Sequence, residues 1–246
     1  TSAARTDVGL VRSRNEDSVL DQPARRMWAV ADGMGGHAHG DLASKMAVDA
    51  LLSLAPPSSL QHAVAAARTV LLGVNQSLLD EAAARQVPVI GSTVVVLMAW
   101  GRMGACLWAG DSRIYLCRGG SLHQLTRDHN QLEELKALGQ ISEADAAAFA
   151  GSSAITRALG AEQALELDEV DVQVCDGDMF LLCSDGLSNF VAEPEMFAAL
   201  ADGDCAAAAD KLIELALANG GRDNVSVVVV RADDLEADMT VLNPSL

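Results

Sequence analysis

Two periods of apolar spacing alternate along this chain, and they sort it into strands and helices. Met27-Trp28-Ala29-Val30-Ala31 is a continuous apolar run, predicting a buried strand that ends at Asp32-Gly33. From Asp41 to Leu54 the positions Leu42, Met46, Val48, Leu51 and Leu52 follow helical spacing, until Pro56-Pro57 stops them. A second helix is expected over about Ser59 to Arg85. Strands follow over Ser92–Trp100, Gly104–Ala109 and Ile114–Arg118. Turns at Gly101–Met103 and Gly119-Gly120 make that set a predicted β-meander. The Ala-rich stretch from Asn130 to Ala150 reads as helical, broken near Gly139. Further strands are expected at 170–174, 179–183 and 225–231, with helices from Glu193 to Leu200 and from Ala206 to Asn219.

The strands come in adjacent runs rather than in strict alternation with helices. The expected class is therefore α+β, a mainly antiparallel sheet flanked by helices. No linker-like stretch and no repeat of about 20–50 residues interrupts the pattern. One domain is expected over residues 1–233, with a loosely ordered tail at 234–246.

Composition changes this picture in two ways. Hydrophobic residues make up 50% of the 246, but aromatics only 3%, so the core has to be built from Ala, Leu and Val. Thirty-four acidic residues against 17 basic ones give a net charge of −17, a field that repels a polyanion such as DNA or an anionic membrane surface. Nucleic-acid binding is not the expected role. Five cysteines, at 106, 117, 175, 183 and 205, form no CxxC pair, which fits a reducing cytoplasm better than a disulfide framework or a zinc site. The longest stretch free of acids, bases and histidine, sixteen residues between Arg85 and Arg102, is too short and too β-branched for a membrane span. The first residues carry no signal-peptide pattern.

Four aspartates stand out by position. Asp32 follows the strand WAVA, Asp111 follows ACLWAG, Asp185 follows MFLLCS, and Asp223 immediately precedes VSVVVV. Each alone reads as a turn or cap residue, as Asp176-Gly177 and Asp202-Gly203 do. Four carboxylates at the ends of buried strands are expensive unless something neutralises them together, which points to one shared cationic cluster. Carboxylate oxygens without interleaved Cys or His suit Mg²⁺ or Mn²⁺ rather than zinc. The DxDxDG calcium loop is absent. Two hard ions bridged by water are a recurrent device for phosphate-ester hydrolysis.

Other candidates are weaker. The loop Gly33-Met34-Gly35-Gly36-His37-Ala38-His39-Gly40 places Ala38 where a dinucleotide fingerprint needs its last glycine. His37 and His39 read first as solvated loop residues. Arg12 lies in a mixed run with Glu16 and Asp17; its guanidinium suits a phosphate, and the plainer alternative is a surface ion pair with one of those two acids.

Taken in order, GLVRSRNEDS, AVADGMGGHAHGDLAS, GSTVVV, WAGDSRIYL, LTRDHN, ITRALG, LLCSDGLSN and GGRDNVSVVVV resemble the metal-dependent Ser/Thr protein phosphatases of type 2C in their compact bacterial form, over about residues 6–231. The resemblance implies a four-layer α-β-β-α sandwich with two antiparallel sheets and a binuclear Mn²⁺/Mg²⁺ centre at one end. It implies that Asp32 bridges both metals, that the Gly33 carbonyl binds the second, and that Asp185 and Asp223 bind the first. Asp111 matches a ligand of a third, weaker metal, Arg12 the phosphate-binding arginine, and Glu16 and Asp17 an acidic pair ordering water around the metals. The stretch from about Asn130 to Ser153 matches a mobile flap.

The activity so implied is hydrolysis of phosphoserine and phosphothreonine in proteins by a metal-activated water, without a covalent phosphoenzyme. It would reverse a bacterial Ser/Thr kinase, in some relatives within secretion systems. A cytoplasmic monomer is expected. The rival is a catalytically silent relative used for binding or sensing, which the intact aspartates disfavour. No CxxxxxR signature of Cys-based phosphatases is present. One departure stands out: relatives with a DGH motif carry a histidine, usually given as the general acid, where this chain has Met34. The acid is then His37 or a metal-bound water, and the water is the expectation.

Overall fold

In the computed structural model, which describes residues 1–34, 39–141 and 154–233, the strands collect into two antiparallel sheets. The first has the order β1-β11-β10-β7-β8: β1 (Ser2–Asp7), β7 (Arg113–Arg118), β8 (Ser121–Gln124), β10 (Met179–Cys183) and β11 (Val225–Arg231). The second has the order β2-β3-β5-β6-β9: β2 (Asp17–Gln22), β3 (Met27–Met34), β5 (Val94–Trp100), β6 (Met103–Ala109) and β9 (Asp168–Gln173). A two-residue strand, β4 (Gly91–Ser92), pairs with the end of β3.

Alternation along each strand decides what lies on either side. In β3, Trp28 and Val30 point into the space between the sheets, where they meet Val95, Trp108, Phe180, Leu182, Val228 and Val230. Ala29 and Ala31 point the other way, toward α1 (Gly40–Leu52) and α2 (Leu60–Arg85). In β11, Val228 and Val230 enter the inter-sheet core, while Val225, Val227 and Val229 pack on α6 (Cys205–Ala218), with α5 (Glu193–Leu200) beside it. Four layers result, helix-sheet-sheet-helix, as the resemblance implies. The helix faces are largely alanine: Ala43, Ala47 and Ala67 are fully buried, and their small side chains let the helices lie close on the sheet. Among the described residues no helix is long and apolar enough to cross a membrane.

The expected meander is corrected. β5 and β6 do form a hairpin, and so do β7 and β8, but β7 leaves its predecessor and pairs with β10 in the opposite sheet. The change of sheet happens at Gly110-Asp111-Ser112. Gly110 has φ +113°, with the Thr93 side chain packed where a Cβ would stand. The predicted strand at 92–100 is also interrupted, because the Thr93 amide hydrogen-bonds to the Asp32 carbonyl rather than to the hairpin ladder. The expected helix after Asn130 begins as read and breaks at Gly139: α3 covers Gln131–Ala137, and Gly139 takes φ +67° just beyond it. Residues 142–153, the rest of the predicted flap, and the tail from 234 lie outside the described residues. Helix starts follow capping chemistry, Ser59 accepting from the His62 amide and Asp204 from those of Ala206 and Ala207.

Candidate metal centre

All four strand-end aspartates face one end of the sandwich. In the β2–β3 ladder Asp32 stands directly opposite Asp17, an arrangement that like charges resist. Asp185 opens a short helix, α4 (Asp185–Ser188), directly after β10, and Asp223 immediately precedes β11 in the same sheet. Asp111 sits in the turn that joins the two sheets and is buried.

The carboxyls act on one another. Burial lifts the Asp32 carboxyl well above the usual range, and the charges of Asp17, Asp185, Asp111 and Asp223 lift it further. Asp111 is pushed up to about 7 by burial first, and then by Asp185 and Asp128. Asp17 is pushed up to about 6 by burial, against hydrogen bonds from Ser226 and Ser184 that favour its charged form. Asp185 is raised by burial and by the charge of Asp223.

Backbone geometry holds this cluster. The Asp32 amide donates to Thr93 Oγ1 at 3.1 Å and Ser92 Oγ donates to the Asp32 carbonyl at 3.0 Å. Thr93 Oγ1 in turn meets Ser112 Oγ at 2.7 Å, which ties the Asp32 and Asp111 turns together. The Gly33 amide donates to the Glu16 carbonyl at 3.1 Å, and a Cβ on Gly33 would strike the Gly40 carbonyl at the start of α1. Asn224 links the third loop: its Nδ2 donates to the Val8 and Arg14 carbonyls at 2.9 and 2.8 Å, and its Oδ1 accepts from the Glu16 amide at 2.8 Å. That binds the segment bearing Arg12 to the loop bearing Asp223.

The set fits a hard divalent cation. Its donors are oxygens only, and the nearby guanidiniums are already engaged, Arg12 by Asp223 and Arg113 by Asp128. Asp17 Oδ1 is buried with no hydrogen-bond partner. Among the described residues, no three His, Cys, Asp or Glu side chains are drawn to one common point. Cys183, two residues from Asp185, does not compete as a nucleophile, since burial pushes its thiol up to about 12.

The sequence placed Arg12 beside Glu16 or Asp17 as its plain alternative; the structure pairs it with Asp223 instead. His39 contacts Arg85, and His37 lies outside the described residues. Thr93, Ser112, Ser184 and Asn224 were not singled out from the sequence. Their signal was available: each is a polar residue at the mouth of an apolar strand, inside a motif already quoted.

Residues 11–216 match the family described as protein phosphatase 2C. The serine/threonine protein phosphatase PstP of Mycobacterium tuberculosis is 37% identical over 242 residues, which is 97% of this chain and 46% of PstP. This chain thus spans about half the length of that curated relative. A solved structure described as PppA, a key regulatory component of T6SS in Pseudomonas aeruginosa, superposes with TM-score 0.88 at 44% identity, covering 94% of this chain and 97% of that one. The catalytic domain of PstP, solved in complex with two manganese ions, gives TM-score 0.84 at 36% identity over 95% of this chain and 98% of its own. With motif order, four-layer fold and aspartate cluster agreeing, the chain belongs to the protein phosphatase 2C family.

Proposed function

We propose that this protein hydrolyses phosphoserine and phosphothreonine monoesters in proteins with the help of two divalent cations, Mn²⁺ or Mg²⁺. The observation that carries this reading is the gathering of acids at one end of the fold: Asp32 stands directly opposite buried Asp17 in the β2–β3 ladder, and Asp111, Asp185 and Asp223 lie near enough for their charges to act on Asp32, a cup suited to neutralisation from outside. Asp32, the Gly33 carbonyl, Asp185 and Asp223 would hold the two ions, and Asp111 would help hold a third, weaker one. When bound, such ions supply an activated water at neutral pH and offset charge on the phosphoryl oxygens.

The chain's own groups do the rest. The Arg12 fork lies at the rim, where it can turn from Asp223 to two oxygens of a phosphate. Glu16 and Asp17 border Asp32 and order water there, the unpartnered Asp17 Oδ1 being free to accept. Met34 has no proton to give, so protonation of the leaving alkoxide falls to a group other than residue 34.

Residues 1–233 serve as one catalytic unit, acting as a monomer in the cytoplasm on a Ser/Thr kinase and its targets. The likeness to PppA supports T6SS phosphoproteins as the first substrates to test. The deciding assay follows phosphothreonine-peptide and p-nitrophenyl phosphate hydrolysis after chelation and after Mn²⁺ or Mg²⁺ is returned. Activity lost with chelator and restored by metal is expected. Full activity in excess chelator refutes the proposal.

A further inference from the structure

The motif LTRDHN runs alongside the turn that carries Asp111. The two segments are laced together. The Ile114 amide donates to Thr126 Oγ1 at 3.1 Å, and Asp128 takes the Arg113 guanidinium through both carboxylate oxygens. His129 binds Gly110 twice: its amide donates to the Gly110 carbonyl at 2.9 Å, and the Gly110 amide donates to its Nδ1 at 3.1 Å.

That second bond fixes the tautomer. Nδ1 must be the bare nitrogen, so the proton sits on Nε2, which faces Asp168 Oδ2 at 3.2 Å. Arg157 Nη1, also 3.2 Å from Nε2, finds its acceptor in Asp168 Oδ1 at 2.6 Å. The ring stacks on Trp108 at 6.1 Å between centroids and 14° between planes, and Trp108 Nε1 donates to the Arg127 carbonyl. Burial holds the imidazole below its usual pKa, so it stays neutral and Nδ1 stays an acceptor.

The other face of His129 meets the roots of the segment between α3 and β9. Its carbonyl accepts from the Thr156 amide at 2.9 Å, while Asn130 bridges Ile155 and the Gln131 amide donates to the Ala154 carbonyl. Gly110, with φ +113°, is held in a conformation an ordinary residue resists, and the His129 ring supplies one of the bonds that keep it there.

We propose that His129 is a positioning residue for Asp111: its ring pins the Gly110–Asp111 turn, and its backbone anchors that turn to residues 154–156 ahead of β9. This rests on the reading of Asp111 as a metal ligand. A residue that orients a ligand from behind is typically worth about 10–100-fold in metal affinity.

Two substitutions separate the two ends of the ring. His129→Asn keeps an acceptor near the Nδ1 position, and His129→Gln keeps a donor near the Nε2 position while losing that acceptor. In the full chain, amide hydrogen exchange at Gly110 should quicken roughly tenfold or more in His129→Gln and stay near the parent rate in His129→Asn. The Mn²⁺ concentration for half-maximal activity should rise roughly tenfold in His129→Gln only, with kcat at saturating Mn²⁺ within about threefold of the parent. Unchanged Gly110 exchange in His129→Gln, or equal Mn²⁺ responses in the two variants, overturns the proposal. Should the parent need no metal while Gly110 exchange still responds as stated, the metal reading of Asp111 fails and the pinning of the turn stands.

Discussion

Arg12 donates from Nη2 to Asp223 Oδ2 at 2.7 Å, joining residues 211 apart in the chain. The pair is open to water, with side-chain exposures of 55% and 32%, so it contributes little to stability. Its value is placement. The contact holds a guanidinium at the rim of the aspartate cluster, and Asp223 in turn keeps its Oδ1 on the Asn224 amide.

Arg12→Ala should therefore weaken substrate binding more than folding. The expected outcome is a KM for phosphopeptide raised about tenfold or more, with a smaller rise for Arg12→Lys, which retains charge but not the fork. The thermal midpoint should move by less than about 2 °C, as expected for a surface ion pair in a domain of this size. Steady-state kinetics beside a melting curve checks this; a KM equal to the parent's would remove Arg12 from the binding site.

The raised carboxyls set the sign of a pH effect on the metal-stripped protein. Asp17 and Asp111 bind protons more tightly folded, at about 6 and about 7, than in the unfolded chain, near 3.9. Between about pH 4 and 7 the folded state holds the extra protons, so stability falls as pH rises through that window. Metal-free protein should melt several degrees lower at pH 8 than at pH 5.5, since each kcal/mol moves Tm by about 2–4 °C at this size. Mn²⁺ should abolish most of the difference. Asp32→Asn should raise the metal-free Tm at pH 8 while eliminating activity. A metal-free Tm that rises with pH would contradict the assigned strain.

Gly33→Ala tests the backbone of the centre without touching a carboxylate. The new methyl would meet the Gly40 carbonyl and crowd the Glu16 carbonyl, both of them main chain that cannot swing aside. The end of β3 must then separate from α1. A loss of about 2 kcal/mol or more in stability is expected, with weakened Mn²⁺ binding by calorimetry. A variant with parental Tm and metal affinity would show that Gly33 has room to spare.

Much of the fold was legible because one face of each long element is uniformly apolar. Leu60–Arg85 and Val225–Arg231 are set by local pattern alone and appear where the pattern puts them; the strand begun at Met27 does too, but it runs past its expected end at Asp32-Gly33 to Met34. β1, β2 and β8 were not legible. SAARTD and DSVLDQ are half polar, and they are strands only because β11 and β3 offer them an edge. The meander failed for a related reason: the pattern records that Ile114 and Leu116 are buried, but not which of two facing sheets buries them.

The site divides in the same way. Asp32, Asp111, Asp185 and Asp223 declared themselves as charges at the ends of apolar runs. Arg12 was legible only through a whole family of motifs, and its partner Asp223, at the far end of the chain, through nothing local. Thr93 and Asn224 act through hydrogen bonds to main chain, which leave no mark on spacing or charge.

The strand order carries a further consequence. Among the described residues β11 is the last strand in chain order, yet it lies inside its sheet, with β1 on one side and β10 on the other, and Asp223 immediately precedes it. On the ribosome, a nascent chain that stops short of residue 225 leaves β1 and β10 without the neighbour they share and the aspartate cluster without one of its members. Only the β7–β8 hairpin in that sheet closes on local contacts; the rest waits for late, long-range pairing. Loss of this one strand therefore dismantles the sheet and the aspartate cluster together.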